Sequence, residues 1–357
     1  MKVYIKFFTY LFFKSFFYVL AIMLSLVFIL NLLSELEFFK NIEVSSYFPL
    51  FLSLLNSPSM IFEMFPFIFF ITAQLFFIKL FDNNEIETFK YSGLKNTKII
   101  LFLSIISFIS GLIAVIIFYN FSSNLKKVYI NLKSPHTIDG KYLAVVTKNG
   151  LWIKDLIDKK TLIINSSKIN KNFLMENFIT EFDDDFNVLR NIKSDKIDIT
   201  NKEWIIHNAK IYYKNKKDVS NTLTLKTHFN YETIQSLYSN LSSLSIFELY
   251  ELRQNYKNLG YSITEVNLQM LKLASFPIYF FLMTLFSSLL MFRMKYQYNT
   301  TLKISVGLFL TVIIYYLNNF FVVLGGTERI PLLISVFFPL LLLTIINSLM
   351  LDKINER

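Results

Sequence analysis

Residues 99–121 read IILFLSIISFISGLIAVIIFYNF, and this stretch decides the class of fold. It carries no charged side chain. As a helix rising about 1.5 Å per residue, it is long enough to cross a bilayer core about 30 Å thick. The residues that follow it are polar and rich in lysine. The stretch therefore predicts a membrane span that leads directly into a segment exposed to water.

Five further stretches have the same apolar character. Together they predict six membrane spans, over residues 15–33, 60–81, 99–121, 273–292, 304–324 and 332–351. The composition agrees, because 54% of the 357 residues are hydrophobic and 17% are charged, against about a quarter charged in soluble domains. A purely cytosolic enzyme is excluded. Residues 1–14 place Lys2, Lys6 and Lys14 among aromatic side chains, which predicts an interfacial amphipathic helix before the first span.

The polar segment between the third and fourth spans has the pattern of an all-β domain. Lys-Ile-Asp-Ile-Thr at 196–200 and Thr-Leu-Thr-Leu-Lys-Thr at 222–227 alternate with a period near two, as half-buried antiparallel strands do. Asn149-Gly150 supplies the two positive-φ positions of a tight hairpin. The predicted strands lie within 145–154, 161–165, 178–182, 196–200, 204–213 and 222–227. Several short strands separated by polar turns favour a β-sandwich or jelly-roll-like domain.

An amphipathic helix is predicted over residues 245–259, after the strands. Ser245 and Glu248 have the spacing of a capping box at its start, and Gly260 would end it. The predicted fold class is therefore a membrane protein with six transmembrane α-helices, three before and three after an inserted extracytoplasmic all-β jelly-roll-like domain. The expected domain boundaries are 1–121, 122–270 and 271–357.

Basic residues in the short loops predict the orientation, since cytoplasmic loops carry an excess of Lys and Arg. The short loops on the side of the membrane opposite the N-terminus hold only Lys40 and Arg329. The side of the membrane that carries the N-terminus holds Lys2, Lys6, Lys14, Lys79, Lys90, Lys95, Lys98, Arg293, Lys295, Lys303, Lys353 and Arg357. We expect both termini in the cytoplasm and the β domain outside. The rest of the net charge of +10 is spread over that domain, so no nucleic-acid-binding stripe is expected.

Common catalytic and metal-binding patterns are missing from the sequence. There is no cysteine, and none of the eight glycines forms a phosphate-binding loop. His136, His207 and His228 lack metal-ligand spacing, so no catalytic residue, metal or cofactor is predicted. The run 183–185 is either a cation site or, more commonly, a solvated acidic turn. Glu63 and Lys272 lie near the ends of predicted spans, where snorkelling accounts for them, so the energy for any transport should come from elsewhere.

The loop between spans two and three has the pattern of a short amphipathic helix at residues 84–93. Asn84 suits the N-cap and Gly93 the end of the helix. Glu85 and Glu87 suit its positive end, with Lys90 further along. Ile86, Phe89 and Tyr91 offer apolar contacts. Such a helix could dock into a cleft of a soluble partner or merely connect the spans, and its spacing leaves both readings open.

These residues, taken with others in the same order, resemble the lipopolysaccharide export permease family LptF/LptG. The segment 84–93 resembles the family's pattern after span two, and Gly150-Leu151-Trp152-Ile153-Lys154-Asp155 resembles its G-L-W-x-[KR]-D element. Other matches are Trp204, Pro277, Tyr315-Tyr316-Leu317-Asn318, Gly325, Ile330-Pro331 and Pro339. The resemblance covers nearly the full chain, and the G-L-W-x-K-D element favours an LptG-like member.

The resemblance implies a permease subunit of an ABC transporter that exports lipopolysaccharide from the inner membrane. A homologous permease would complete a heterodimer on a cytoplasmic ATPase dimer. Residues 84–93 would be the coupling helix, with Asn84, Glu85, Ile86, Glu87, Phe89, Lys90 and Gly93 at the ATPase. Lipid would enter between spans one and five. The β domain would pass it to an LptC-like adaptor and then to an LptA-like periplasmic bridge.

A phosphorylated lipid headgroup needs cations at the periplasmic rim of such a transporter. The candidates are Lys40, Lys126, Lys127 and Lys133. The basic pair often found after span one in the family is replaced here by Glu37-Phe38.

Two other functions remain open from the residues alone. The first is a membrane enzyme acting on lipid-linked sugars, with Asp139, Asp155 or Glu181 as acid and base. The second is a membrane scaffold or sensor that uses a β-sandwich domain for binding.

Overall fold

A computed structural model of the chain describes residues 3–133, 136, 151–157, 160–170, 172–213, 216–227, 229–231, 234, 240–258, 262–294 and 299–355. The chain folds as two compact units. One unit consists of Met1–Tyr129 together with Thr264–Arg357, and the other is Ile130–Ile263.

The first unit is helical, and its long helices match the predicted spans. Among the described residues, six helices are long and apolar enough to cross a membrane: Val3–Phe38, Phe65–Asp82, Asn96–Lys133, Thr264–Arg293, Thr300–Gly326 and Leu332–Asp352. We number the described α-helices in chain order as α1 Val3–Phe38, α2 Phe48–Glu63, α3 Phe65–Asp82, α4 Glu85–Tyr91, α5 Asn96–Ile113, α6 Tyr119–Lys133, α7 Ile246–Asn258, α8 Thr264–Arg293, α9 Thr300–Gly326 and α10 Leu332–Asn355. A π-helix, Ala114–Phe118, joins α5 to α6. The prediction of six spans is confirmed.

The N-terminal segment differs from its prediction. We expected a separate interfacial helix over 1–14, but α1 runs without a break from Val3 through the first span. The segment contains no Gly or Pro that could end a helix. Two of its aromatic side chains, Phe8 and Phe12, are also buried within the bundle, with ring centroids 5.9 and 6.5 Å from that of Phe76 of α3.

Helix α2 was not predicted, because Ser, Asn and Pro58 interrupt its apolar residues. It forms because one face packs against α1, where Leu52 and Leu55 are buried. The Asn31 side-chain amide of α1 donates to the carbonyl oxygen of Ser53 at 3.1 Å. Two consecutive helices, α2 and α3, therefore follow the turn after α1.

Aromatic side chains fill the centre of the helical unit. Phe69 of α3 stacks on Phe280 of α8 with ring centroids 4.8 Å apart. Helices α5 and α8 approach closely at Gly111, where a Cβ atom would lie 2.8 Å from the Cα of Pro277. Helix α3 packs against α1, α8 and α9. In contrast to α8, whose span is 78% buried, the spans of α1 and α9 are only 17% and 11% buried. These two helices carry the least covered apolar faces of the unit.

The second unit contains a six-stranded antiparallel sheet. Its strands are β1 Leu151–Ile157, β2 Lys160–Asn170, β3 Phe173–Phe182, β4 Val188–Asp198, β5 Glu203–Tyr212 and β6 Lys217–Lys226. The strands lie in chain order, so the described part of the sheet is a meander. This confirms the predicted fold class, a membrane protein with an inserted β domain. The hairpin predicted at Asn149-Gly150 lies outside the described residues.

One face of the sheet forms the core of this unit. Ile153, Ile164, Ile179 and Ile192 lie on four neighbouring strands and are fully buried. Trp204 is buried with them, and its indole N–H donates to the carbonyl oxygen of Phe229 at 2.8 Å.

Helix α7 begins with the predicted capping box. The Ser245 backbone N–H donates to Glu248 Oε2 at 2.7 Å, and the Glu248 N–H donates to Ser245 Oγ at 3.3 Å. Gly260, the predicted end of this helix, lies outside the described residues.

Candidate functional site

The short helix α4 is fixed to the helical unit by its inner side. Ile86 is fully buried. The Phe89 ring meets the Phe8 ring edge-on, with centroids 4.7 Å apart. Phe8 in turn contacts Phe76 of α3, so α4 is connected to both span one and span two. A force applied to α4 would therefore be transmitted to these two spans.

The two ends of α4 are built differently. Asn84 occupies the N-cap position but has a left-handed backbone, with φ +55°, and its side chain makes no capping hydrogen bond. The expected cap is absent because capping requires an extended backbone at this position. Gly93, with φ +80°, ends the helix as predicted. The Gly93 N–H donates to Lys90 O at 2.9 Å and the Leu94 N–H donates to Phe89 O at 3.0 Å, which is a Schellman motif.

The outer side of α4 carries polar groups and one aromatic ring. Tyr91 is 90% exposed, and Lys90 is exposed beside it. Glu85 and Glu87 are half-buried. Glu85 Oε1 accepts a hydrogen bond from the Asn83 side-chain amide at 3.3 Å, whereas Glu85 Oε2 is buried and has no hydrogen-bond partner among the described residues. Of the three predicted apolar contact residues, Ile86 and Phe89 thus face inward and only Tyr91 faces outward.

The four candidate headgroup lysines lie in different surroundings. Lys40 is exposed in the turn after α1, and Lys127 is exposed on α6. Lys126 is half-buried on α6. Lys133, at the end of α6, is only 4% exposed and belongs to the other unit.

Glu63 lies near the end of a span, as its position in the sequence suggests. The predicted span began at residue 60, and the structure begins it at Phe65. Glu63 is the last residue of α2, at the junction with α3, and is exposed on the surface of the unit.

The sequence does not predict two buried polar contacts that join different spans. Glu35, near the end of α1, is 1% exposed, and the Tyr129 hydroxyl of α6 donates to its Oε1 at 2.8 Å. Gln74 of α3 donates through Nε2 to the carbonyl oxygen of Lys303 of α9 at 2.9 Å. The partners are 94 and 229 residues apart in the chain, so no local pattern indicates the pairing.

The carboxylates proposed for a sugar-acting enzyme do not form an acid–base pair. Asp155 is paired with Leu162, and Leu162 with Glu181, so a strand separates the two carboxylates by about 10 Å. Glu181 is bound by Arg190 and by Lys160, whose Nζ lies 3.0 Å away. Burial alone would raise the pKa of Glu181, but these hydrogen bonds lower it overall, which keeps the carboxylate ionised. Asp139 lies outside the described residues.

The acidic run 183–185 forms the turn between β3 and β4. Asp183 Oδ1 accepts hydrogen bonds from the backbone N–H groups of Asp185 at 3.0 Å and Asn187 at 2.7 Å. The Asn187 side-chain amide donates to Asp183 Oδ2 at 3.2 Å. Asp183 therefore stabilises the turn itself, which favours the solvated-turn interpretation over a cation site.

Comparison with known families gives a match over nearly the whole chain. The family model described as lipopolysaccharide export system permease LptF/LptG matches residues 6–353. This range includes α4, the inserted sheet and, apart from the first three residues of α1, all six spans. No curated protein matches the chain at a significant level.

Proposed function

Because the chain belongs to the LptF/LptG family of lipopolysaccharide export permeases, we propose that it is one of two membrane subunits of an ATP-driven exporter. It is a multi-pass permease of the inner membrane, with six spans and an inserted β domain. The family describes permeases, so ATP hydrolysis is assigned to a partner, a dimer of a cytoplasmic ATPase.

Helix α4 is the coupling helix in this proposal, and its geometry is the observation that carries it. Its inner side is fixed to spans one and two through Ile86 and Phe89, while Tyr91 projects outward. In this proposal the half-buried carboxylate of Glu85 turns outward to accept from a donor of the ATPase. The surface of α4 that would meet the ATPase also includes Asn84, Glu87, Lys90 and Gly93.

The uncovered apolar faces of α1 and α9 support a heterodimer with a homologous permease. These are spans one and five, between which the lipid would enter. A second permease placed against them would enclose an apolar space for acyl chains. Lys40, Lys126, Lys127 and Lys133 remain the proposed contacts for the phosphorylated headgroup.

The proposed orientation has both termini in the cytoplasm and the β domain in the periplasm. The domain boundaries 1–121, 122–270 and 271–357 belong to this proposal. The β domain would then pass the lipid to an LptC-like adaptor and an LptA-like bridge. We also propose the LptG-like role, which rests on residues 150–155, since the family match covers both members.

Charge reversal of Glu85 tests the coupling role. The tagged chain is purified from its native membrane in mild detergent, and its partners and lipid-dependent ATP turnover are measured. We expect a homologous six-span protein and an ATPase to co-purify with the wild type. Glu85→Arg should lose the ATPase but keep the second permease. Glu43→Arg makes the same charge change at an exposed residue in the turn after α1 and should retain both partners.

Two results would contradict this proposal. A Glu85→Arg variant with full ATPase binding and transport would refute the coupling role. A wild-type chain that purifies without any nucleotide-hydrolysing partner would refute the exporter and favour the scaffold or sensor.

A further inference from the structure

Span five, helix α9, is attached to the rest of the helical unit near its two ends. Its buried residues are Lys303, Gly307, Thr311 and Gly325. None of the residues 312–324 is buried. At the far end, a Cβ atom at Gly325 would overlap Ser335 Oγ of α10, so the two helices touch there. Each end of α9 therefore has its own contact, and the stretch between the ends lies on the surface of the unit.

The contact at the start of α9 is a hydrogen bond to its backbone. The fully buried Gln74 of α3 donates through Nε2 to the carbonyl oxygen of Lys303 at 2.9 Å. In an α-helix the carbonyl of one residue lies beside the residue four positions later, which here is Gly307. A Cβ atom at Gly307 would overlap the Gln74 amide. The missing side chain at Gly307 therefore lets Gln74 reach the backbone of α9.

The side chain of Lys303 is held by the same helix. Lys303 is only 7% exposed, and its Nζ lies 5.8 Å from the centre of the Phe81 ring, within the range of a cation–π contact. Gln74 and Phe81 are seven residues apart, so they lie on one side of α3. Helix α3 thus contacts both the carbonyl and the ammonium group of Lys303.

Phe81 also lies where α3 joins α4. Helix α3 ends at Asp82 and α4 begins at Glu85, and the Asn84 N–H donates to the Phe81 carbonyl oxygen at 3.1 Å. Ile86 of α4 is fully buried. A displacement of α4 would therefore move the last turns of α3, which carry the contacts to Lys303.

The polar contact makes α9 follow α3. Apolar contacts are non-directional, so helices joined only by them can slide past each other. The bond from Gln74 is directional, and breaking it inside the bundle would leave a buried amide without its acceptor. Because the acceptor is a backbone carbonyl, the bond holds the helix itself rather than a mobile side chain.

We propose that Gln74 is a positioning residue that couples α4 to span five, because it holds the Lys303 carbonyl on α3 when the ATPase moves α4. The start of α9 would shift while its other end stays at Gly325. Helix α4 then acts on both sides of the lipid entrance, on span one through Phe89 and Phe8 and on span five through Gln74. This inference rests on the proposed function, which supplies the coupling helix and the entrance between these spans.

Distances between spin labels in the assembled complex test this inference. The chain contains no cysteine, so labels are placed singly, and it is reconstituted in nanodiscs with cysteine-free versions of its permease partner and ATPase. Leu302→Cys reports on the start of α9 and Tyr91→Cys on α4, each measured against Leu101→Cys on α5, and all three residues are exposed. Trapping the ATPase with ATP and vanadate should change both distances. Gln74→Leu should abolish the change at α9 and keep the change at α4.

Transport provides a second readout, with a matched control. Gln74→Leu should still hydrolyse ATP but release about 3- to 10-fold less lipopolysaccharide per ATP than the wild type. Ser287→Ala removes a buried bond of the same kind, from Ser287 Oγ of α8 to the Phe70 carbonyl of α3 at 2.7 Å, without touching α9. It should keep both distance changes and the wild-type ratio of lipid to ATP.

A second variant breaks the same contact from α9 and leaves Gln74 in place. Gly307→Ala puts a methyl group where the Gln74 amide lies and should also abolish the distance change at α9. Because both variants remove one contact, the double variant with Gln74→Leu should release no less lipopolysaccharide per ATP than the weaker single variant.

The outcomes separate this inference from the proposed function. If Gln74→Leu and Gly307→Ala both keep the distance change at α9, the positioning role is wrong. It is also wrong if α4 moves in the wild type and α9 does not. Loss of assembly in both variants, with Ser287→Ala intact, would show that the contact only stabilises the bundle and would overturn the inference. If α4 itself does not move in the wild type, the proposed coupling helix fails, and this inference fails with it.

Discussion

At the scale of single residues, Glu181 makes the stability of the β domain depend on pH. Its carboxylate is 5% exposed between Arg190 and Lys160, whose hydrogen bonds outweigh burial and lower its pKa. A carboxylate whose pKa is lower in the folded protein than its ordinary value of 4.5 stabilises the protein at any pH above 4.5. This stabilisation is lost as the pH falls through the pKa of the folded state. We therefore expect Glu181→Gln to cost about 1–3 kcal/mol at pH 7 and progressively less in acid.

Hydrogen exchange of the β3 and β4 amides in the full-length protein measures this effect. The wild type should lose protection on acidification, whereas Glu181→Gln should start lower and change less. Glu203→Gln removes an exposed carboxylate on β5 and serves as the control, with no expected change. If the hydrogen-exchange protection of Glu181→Gln falls in parallel with that of the wild type from neutral to acidic pH, the ion pairs of Glu181 contribute nothing to the pH dependence of stability.

Gly307 is required for the contact between spans two and five. A Cβ atom there would lie 2.0 Å from Nε2 of the fully buried Gln74, which binds the Lys303 carbonyl. Alanine normally favours a helix over glycine by up to about 1 kcal/mol, but overpacking costs about 1–3 kcal/mol. We expect Gly307→Ala to lower the thermal midpoint in detergent. Gly326→Ala, whose Cβ would meet Leu268 at an ordinary 3.5 Å, should not lower it. Equal midpoints for the two variants would contradict this account.

At the scale of elements, the end of α4 depends on the backbone of Gly93. Its φ of +80° allows the Schellman motif, and a Cβ atom there would meet nothing within 4 Å. Gly93→Ala should therefore act through backbone strain alone, at a cost of about 1–2 kcal/mol. Asparagine tolerates this conformation better, so Gly93→Asn should be milder. Hydrogen exchange at Leu94 should be faster in Gly93→Ala than in Gly93→Asn, and the reverse order would be inconsistent with the motif.

The elements also show what the sequence can predict. Spans one to six follow from hydropathy because each must satisfy its backbone hydrogen bonds within lipid. The helix end at Gly93 and the capping box of Ser245 and Glu248 depend on local patterns, and the sequence predicts both. Helix α2 is different, because its Ser, Asn and Pro residues form a helix only when one face packs on α1. Local patterns thus predict elements, while elements stabilised by distant contacts require the structure.

At the scale of the whole molecule, the features that the sequence does not predict also depend on contacts between distant residues. The candidate residues of α4 were found from one short segment, but their inward or outward direction depends on Phe8 and on the packing of α1. The contacts of Glu35 with Tyr129 and of Gln74 with Lys303 join helices that are far apart in the chain. Polar contacts within the helical unit therefore have to be assigned from the packed bundle, because each depends on several helices together.

The orientation of the chain is the prediction that connects these scales, because the coupling role of α4 requires it to face the cytoplasm. The chain contains no cysteine, so single substitutions can be labelled individually. Three exposed side chains suit this purpose: Tyr47 in the turn before α2, Tyr91 on α4 and Val219 on β6. A membrane-impermeant maleimide should label Tyr47→Cys and Val219→Cys in cells with a permeabilised outer membrane.

Tyr91→Cys should react only after the inner membrane is broken, because Lys90, Lys95 and Lys98 lie beside it and basic loops remain in the cytoplasm. Labelling of Tyr91→Cys from outside would place α4 in the periplasm, where no ATPase could bind it. That result would refute the orientation and the coupling role together. Labelling of Tyr47→Cys and Val219→Cys from opposite sides would instead contradict the two-span connection between them.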